Sequence, residues 1–92
     1  MQKVDFRYSD TDFVSYLLSV GYKHTSIEIT KDHKDRPKAF VHFYEDKTEL
    51  LNRLVEYKES SVKIDPLSFS ANRRSINKLI KAEILKYKST NI

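Results

Sequence analysis

The side chains of this chain that could do chemistry are three histidines, scattered serines and a cluster of lysines and arginines near the C-terminal end. His24, His33 and His42 form no His-x-x-x-His pair, and there is no cysteine to support them as metal ligands. Only His33 has carboxylates close by, Asp32 and Asp35, and that setting reads as a solvated charged loop. No serine sits in a Gly-x-Ser-x-Gly elbow, and a single glycine cannot build a phosphate-cradling loop. His42 could occupy a pocket with a shifted pKa, although a histidine in such a stretch more often plays a structural part or faces solvent beside aromatics. The residues therefore assign no catalytic group, no metal and no cofactor, and the chain is read as non-enzymatic.

The basic residues say more. Residues 1–71 carry 11 basic and 12 acidic side chains, whereas residues 72–92 carry 6 basic and 1 acidic, so the whole net charge of +4 comes from the C-terminal segment. A concentrated basic patch attracts phosphates or acidic surfaces. On a helix turning about 100° per residue, Arg74, Lys78, Lys81 and Lys88 fall within roughly 80° of one another, away from the apolar stripe. Arg73 sits beside that stripe, and Lys86 lies elsewhere. The functional reading is contact with nucleic-acid phosphates. The competing one is a solvated helix face whose lysine stems cover apolar surface. The near absence of acids from this helix, and Leu85 pointing into its basic flank, favour contact.

A second surface comes from Lys38 to Tyr44 (Lys-Ala-Phe-Val-His-Phe-Tyr), rich in aromatic and β-branched residues and read as a central strand. Its parity puts Phe40, His42 and Tyr44 on one face and Ala39, Val41 and Phe43 on the other. Both faces carry bulk, so both are expected to be covered at least in part. Phe40, His42 and Tyr44 could stack on unpaired bases, as aromatics of RNA-recognition motifs do, but the glycine-containing motif of those domains is missing. Core packing is the favoured reading for them.

The elements that must position these residues are legible in order. Val4 to Tyr8 alternates as a short half-buried strand. Ser9 to Val20 reads as a helix, with Ser9 as cap, Asp12 completing a capping-box-like pair and Tyr8 stapled to Phe13. Phe13, Tyr16, Leu17 and Val20 form its stripe, widened by Val14 and Leu18, and Gly21 ends it in a Schellman turn with Tyr22 folding back on Leu17. Thr25 to Lys31 is a strand with Ile27 and Ile29 inward, joined through the charged loop 31–37 to the central strand as an antiparallel hairpin. Asp46 caps a second helix with Glu49, whose buried stripe is Leu50, Leu51, Leu54 and Val55, with Tyr57 toward one flank. Ser60 and Ser61 end it, and Val62 and Ile64 form a short fourth strand. Asp65-Pro66 starts a long helix to about Lys88, with a break near Ser70 to Asn72 left open. Phe69, Ile76, Leu79, Ile80, Ile84 and Tyr87 make its apolar face.

The chain of 92 residues is thus expected to form one α+β domain over residues 1–88, in the order β-α-β-β-α-β-α, with residues 89–92 as a frayed tail. The first six elements match a ferredoxin-like order. The absence of cysteine suits a reducing compartment. With no apolar leader and no run of transmembrane length, the reading is a cytosolic protein with no membrane partner.

Several segments together resemble a family of short proteins of unknown function from Gram-positive bacteria and their phages. They are Tyr8-Ser9-Asp10-Thr11-Asp12-Phe13, the Leu17-Leu18…Gly21-Tyr22 ending, Phe43-Tyr44-Glu45-Asp46 followed by Glu49-Leu50, and Val62-Lys63-Ile64-Asp65-Pro66-Leu67-Ser68-Phe69 with the basic helix after it. The charged loop 31–37 is longer than the family pattern. The resemblance implies a mobile-element accessory protein, acting in the host cell cytosol by binding host or phage machinery, and brings no catalytic residues. The leading expectation is a binder of nucleic acid or a nucleoprotein complex through Arg74, Lys78, Lys81 and Lys88, with Arg73 at the edge. The alternative is a protein-binding module, such as a phage-encoded inhibitor or regulator of a host or defence protein, with homodimerisation left open.

Overall fold

A computed structural model describes residues 3–59 and 65–90. The elements are β1 (Lys3–Tyr8), α1 (Thr11–Ser19), β2 (Ser26–Lys31), β3 (Pro37–Asp46), α2 (Lys47–Lys58) and α3 (Pro66–Thr90). The expected fourth strand at Val62 and Ile64 lies outside the described residues. β3 is the central strand of a three-stranded sheet of order β1-β3-β2, antiparallel to both neighbours. β1 and β2 consequently run in the same direction with β3 between them and α1 as their connection.

Register decides which face of the sheet is buried. Phe43 lies opposite Phe6, and Val41 lies between Tyr8 and Ile27. This apolar row meets Phe13, Val14, Tyr16 and Leu17 of α1, Leu50 of α2 and Ile76 of α3 in one core, with Leu54, Tyr57, Phe69 and Ile80 packed around it. The other row pairs Tyr44 with Asp5, His42 with Arg7 and Ser26, and Phe40 with Glu28, and it belongs to no part of that core. The expectation that both faces of β3 are covered at least in part is met unequally: Val41 and Phe43 are buried, whereas Phe40 and His42 are half-buried and Tyr44 is exposed. The helices take the face on which all three strands are apolar, because covering the other would desolvate Asp5, Arg7 and Glu28.

Helix α1 is buried at five consecutive positions, Phe13 to Leu17, since it is packed by β1, α2 and α3 together. Its cap is Asp10, one residue later than expected: the Asp10 carboxylate accepts from Asp12 N at 3.0 Å and Phe13 N at 3.3 Å. The staple forms all the same, as an edge-on contact of Tyr8 and Phe13 with centroids 4.9 Å apart. The Schellman ending is present in full. Tyr22 N donates to Leu17 O and Gly21 N to Leu18 O, with Gly21 at φ +103°. Val20, placed in the apolar stripe, is instead the exposed C-cap residue.

Serines make the close approach of α1 and α3. Ser15 is fully buried, yet its hydroxyl donates to Thr11 O, and Ser19 donates to Ser15 O, so neither leaves a polar group unpaired. Ser19 Oγ also accepts from Asn72 Nδ2 of α3 at 3.2 Å.

Asp46 caps α2 as expected, accepting from Glu49 N at 3.0 Å. The buried stripe of α2 is narrower than its apolar pattern. Leu50 is buried and Leu54 half-buried, but Leu51 and Val55 stand 43% and 52% exposed, one turn apart. No helix among the described residues is long and apolar enough to cross a membrane.

The cap assignment is open to test. Asp10→Ala should lower unfolding free energy by about 1 kcal/mol in urea denaturation. Ser9→Ala should leave the midpoint nearly unchanged, and the opposite ranking would return the cap to Ser9.

Candidate nucleic-acid interface

Helix α3 carries the main candidate surface. Asp65 caps it, accepting from Ser68 N at 3.2 Å and Leu67 N at 3.4 Å, and Pro66 opens the first turn. The helix runs unbroken to Thr90, so the break left open near Ser70 to Asn72 is absent and the helix extends into the expected tail. The Asn72 side chain donates to Ser68 O one turn back and to Ser19 of α1. Ile76 is the one residue of α3 fully buried among those described, and Phe69 and Ile80 pack beside it. Leu79, expected on the apolar face, is an exposed residue at the margin of the contact.

With Ile76 turned into the core, the opposite side of α3 faces solvent. Arg74, Lys78, Lys81 and Lys88 are all exposed there, and among the described residues none has an ion pair or side-chain hydrogen bond. Arg73 differs: its Nε lies 3.2 Å from Asp12 Oδ1 of α1, so its charge is answered by the body of the domain. Lys86 pairs with Glu83 one turn back at 3.4 Å. The expected quartet thus stays together as an open strip, and Arg73 stands apart from it. Leu67 precedes the strip and Leu85 lies within it, 80% and 66% exposed.

The second candidate surface is the uncovered sheet face. Phe40 and His42, favoured as core residues by the sequence, lie half-buried outside the core, and Tyr44 is 54% exposed. They are not equivalent as stacking rings. The Arg7 guanidinium sits 4.4 Å from the Phe40 ring centroid and Lys38 Nζ 5.2 Å from it, so a base would have to displace cation–π contacts. His42 is gripped at both nitrogens, Nδ1 by Asp5 Oδ2 at 2.9 Å and Nε2 by Glu28 Oε1 at 2.7 Å. Tyr44 makes no ring contact among the described residues.

This clamp determines the chemistry of His42. A neutral imidazole has one N–H, so satisfying two carboxylates requires the imidazolium. The hydrogen bond to Glu28, then that to Asp5, raises the His42 pKa above its ordinary value. Glu28 is lowered in turn, chiefly by His42 and further by Arg7, whose Nη1 lies 3.4 Å from Oε1. With both nitrogens engaged, no lone pair is left to act as a base or bind a metal.

The carboxylates beside His33 are used by the hairpin. Asp32 Oδ1 accepts from Lys34 N at 2.8 Å and Arg36 N at 3.0 Å, Asp35 adopts φ +62°, and Lys31 pairs with Asp35 at 3.5 Å.

No protein-family model, curated protein or solved structure matches the chain.

The clamp predicts a pH dependence with a definite sign. The raised His42 contributes fully below its ordinary value of 6.5 and loses that contribution as pH rises through the folded value. The lowered Glu28 contributes above 4.5 and loses that as pH falls through its folded value. The clamp therefore stabilises most between 4.5 and 6.5. The urea midpoint should drop from pH 6 to about pH 9, and His42→Gln should shrink that drop. An equal drop in both proteins would show that His42 carries none of it.

Proposed function

We propose that this protein is a non-enzymatic accessory protein of the phage or mobile-element type that its motifs resemble, and that it binds nucleic acid or a nucleoprotein complex through α3. The observation that carries the reading is the placement of Arg74, Lys78, Lys81 and Lys88. All four are exposed and none has an acidic partner among the described residues, on a helix whose other side is fixed in the core by Ile76. Unanswered like charges on a rigid element repel one another, and a phosphate backbone relieves that repulsion while releasing counterions.

A second reading is favoured by a separate observation. Leu51 and Val55 on α2 expose apolar surface one turn apart, which suits a protein partner. Capture from host lysate separates the two readings: partners that vanish on nuclease treatment favour nucleic acid, and partners that persist favour protein binding.

Salt titration tests the leading reading directly. If all four cations meet phosphates, log K against log[salt] should have a slope of about −3.6 on duplex DNA or about −2.8 on a single strand. Changing the four residues to Glu should abolish binding while leaving the circular dichroism spectrum and the urea midpoint near wild type. Absence of binding by wild type to DNA and RNA oligonucleotides at low salt would overturn the reading.

A further inference from the structure

The geometry points to duplex DNA, entered through its major groove, as the nucleic acid that α3 takes; this rests on the reading of α3 just given. Three features of the outward side of the helix carry it.

The first is shape. The strip lies on the outward side of α3, opposite the buried Ile76, and so forms a ridge rather than a groove. An α-helix with its side chains is about 10–12 Å across, and the B-DNA major groove is about 12 Å wide and 8.5 Å deep, so ridge and groove are complementary. The major groove of A-form RNA is deep and narrow and does not admit side chains.

The second is the lack of rings. Proteins that hold single strands combine cations with aromatic side chains on which bases stack. The aromatic residues of α3, Phe69 and Tyr87, are half-buried, and the exposed positions of its strip carry none.

The third is the arrangement of the strip. At about 100° per residue, Leu67, Arg74 and Leu85 fall within roughly 20° of one another and form a central row. Lys78 lies on one side of that row, and Lys81 and Lys88 lie on the other. Laid in the groove, the lysines lean toward the phosphates of the two walls. Arg74 and Leu85, about 16 Å apart along the axis, meet the floor. Arginine recognises guanine through O6 and N7 with a bidentate contact, and an apolar side chain meets the thymine methyl. Arg74 is open to such a contact because Arg73, beside it in sequence, is the arginine that pairs with Asp12.

The test is fluorescence anisotropy at low salt with a labelled mixed-sequence duplex DNA, the single strand of the same sequence and the corresponding duplex RNA. Duplex DNA should bind at least about tenfold tighter than either. Replacing every guanine of the DNA duplex by 7-deazaguanine removes the N7 acceptor and leaves every phosphate in place. That change should weaken wild type several-fold and Arg74→Ala much less. Equal or tighter binding of the single strand or of duplex RNA overturns the inference while leaving phosphate contact by α3 standing. A duplex preference indifferent to 7-deazaguanine overturns entry through the major groove. No binding to any of the three probes removes the nucleic-acid reading itself.

Discussion

Burial of a single side of β3 is the constraint from which the other features follow. Val41 and Phe43 are covered by Phe13, Tyr16 and Leu17 of α1, Leu50 of α2 and Ile76 of α3, so one small core uses all three helices. A chain of this size buries a modest share of its surface, and a second core on the other side is beyond its means. Removing Ile76 or Phe43 would open a cavity in the only core described, at a typical cost of about 2–5 kcal/mol for such truncations to Ala.

The same constraint sorts the charges. Residues turned toward the core side that carry charge find partners: Arg73 meets Asp12, and Arg53 meets Glu56 and the Tyr22 hydroxyl. The open sheet face, which carries both signs, pairs its own groups through Asp5, His42, Glu28 and Arg7. Among the described residues, the outer side of α3 is where charges of one sign gather without an ion-pair partner. A helix anchored by one buried residue cannot rotate to hide them, since a turn that buried Lys78 would expose Ile76.

Much of the fold was legible because its signals are local. Asp46, Asp65-Pro66 and Gly21 mark helix ends through backbone groups that must be satisfied within a few residues, and each marks its end as expected. Asp10 displaced Ser9 as the cap because both can accept the same amide protons and nothing in composition chooses between neighbours. The covered side of β3 was not legible, since both of its rows hold bulky residues. The choice came from cross-strand register, which sets Phe6, Tyr8 and Ile27 beside one row and Asp5, Arg7 and Glu28 beside the other. The α1–α3 contact was missed because Ser15 and Ser19 look like a polar face until their hydroxyls are seen to bond back into the helix. Within the site, the quartet on α3 was readable from helical spacing alone. The pairing of Arg73 with Asp12 and the clamp on His42 depend on contacts between distant segments, and periodicity carries no record of those.

Lysine footprinting tests the central claim most directly. Acetylation followed by mass spectrometry, with and without duplex DNA, reports each amine separately. Lys78, Lys81 and Lys88 should lose reactivity in the complex, while Lys3 and Lys38 on the open sheet face keep theirs. Protection of Lys38 with no change along α3 would contradict the account, because the nucleic acid would then lie on the sheet and the strip on the last helix would be a solvated surface.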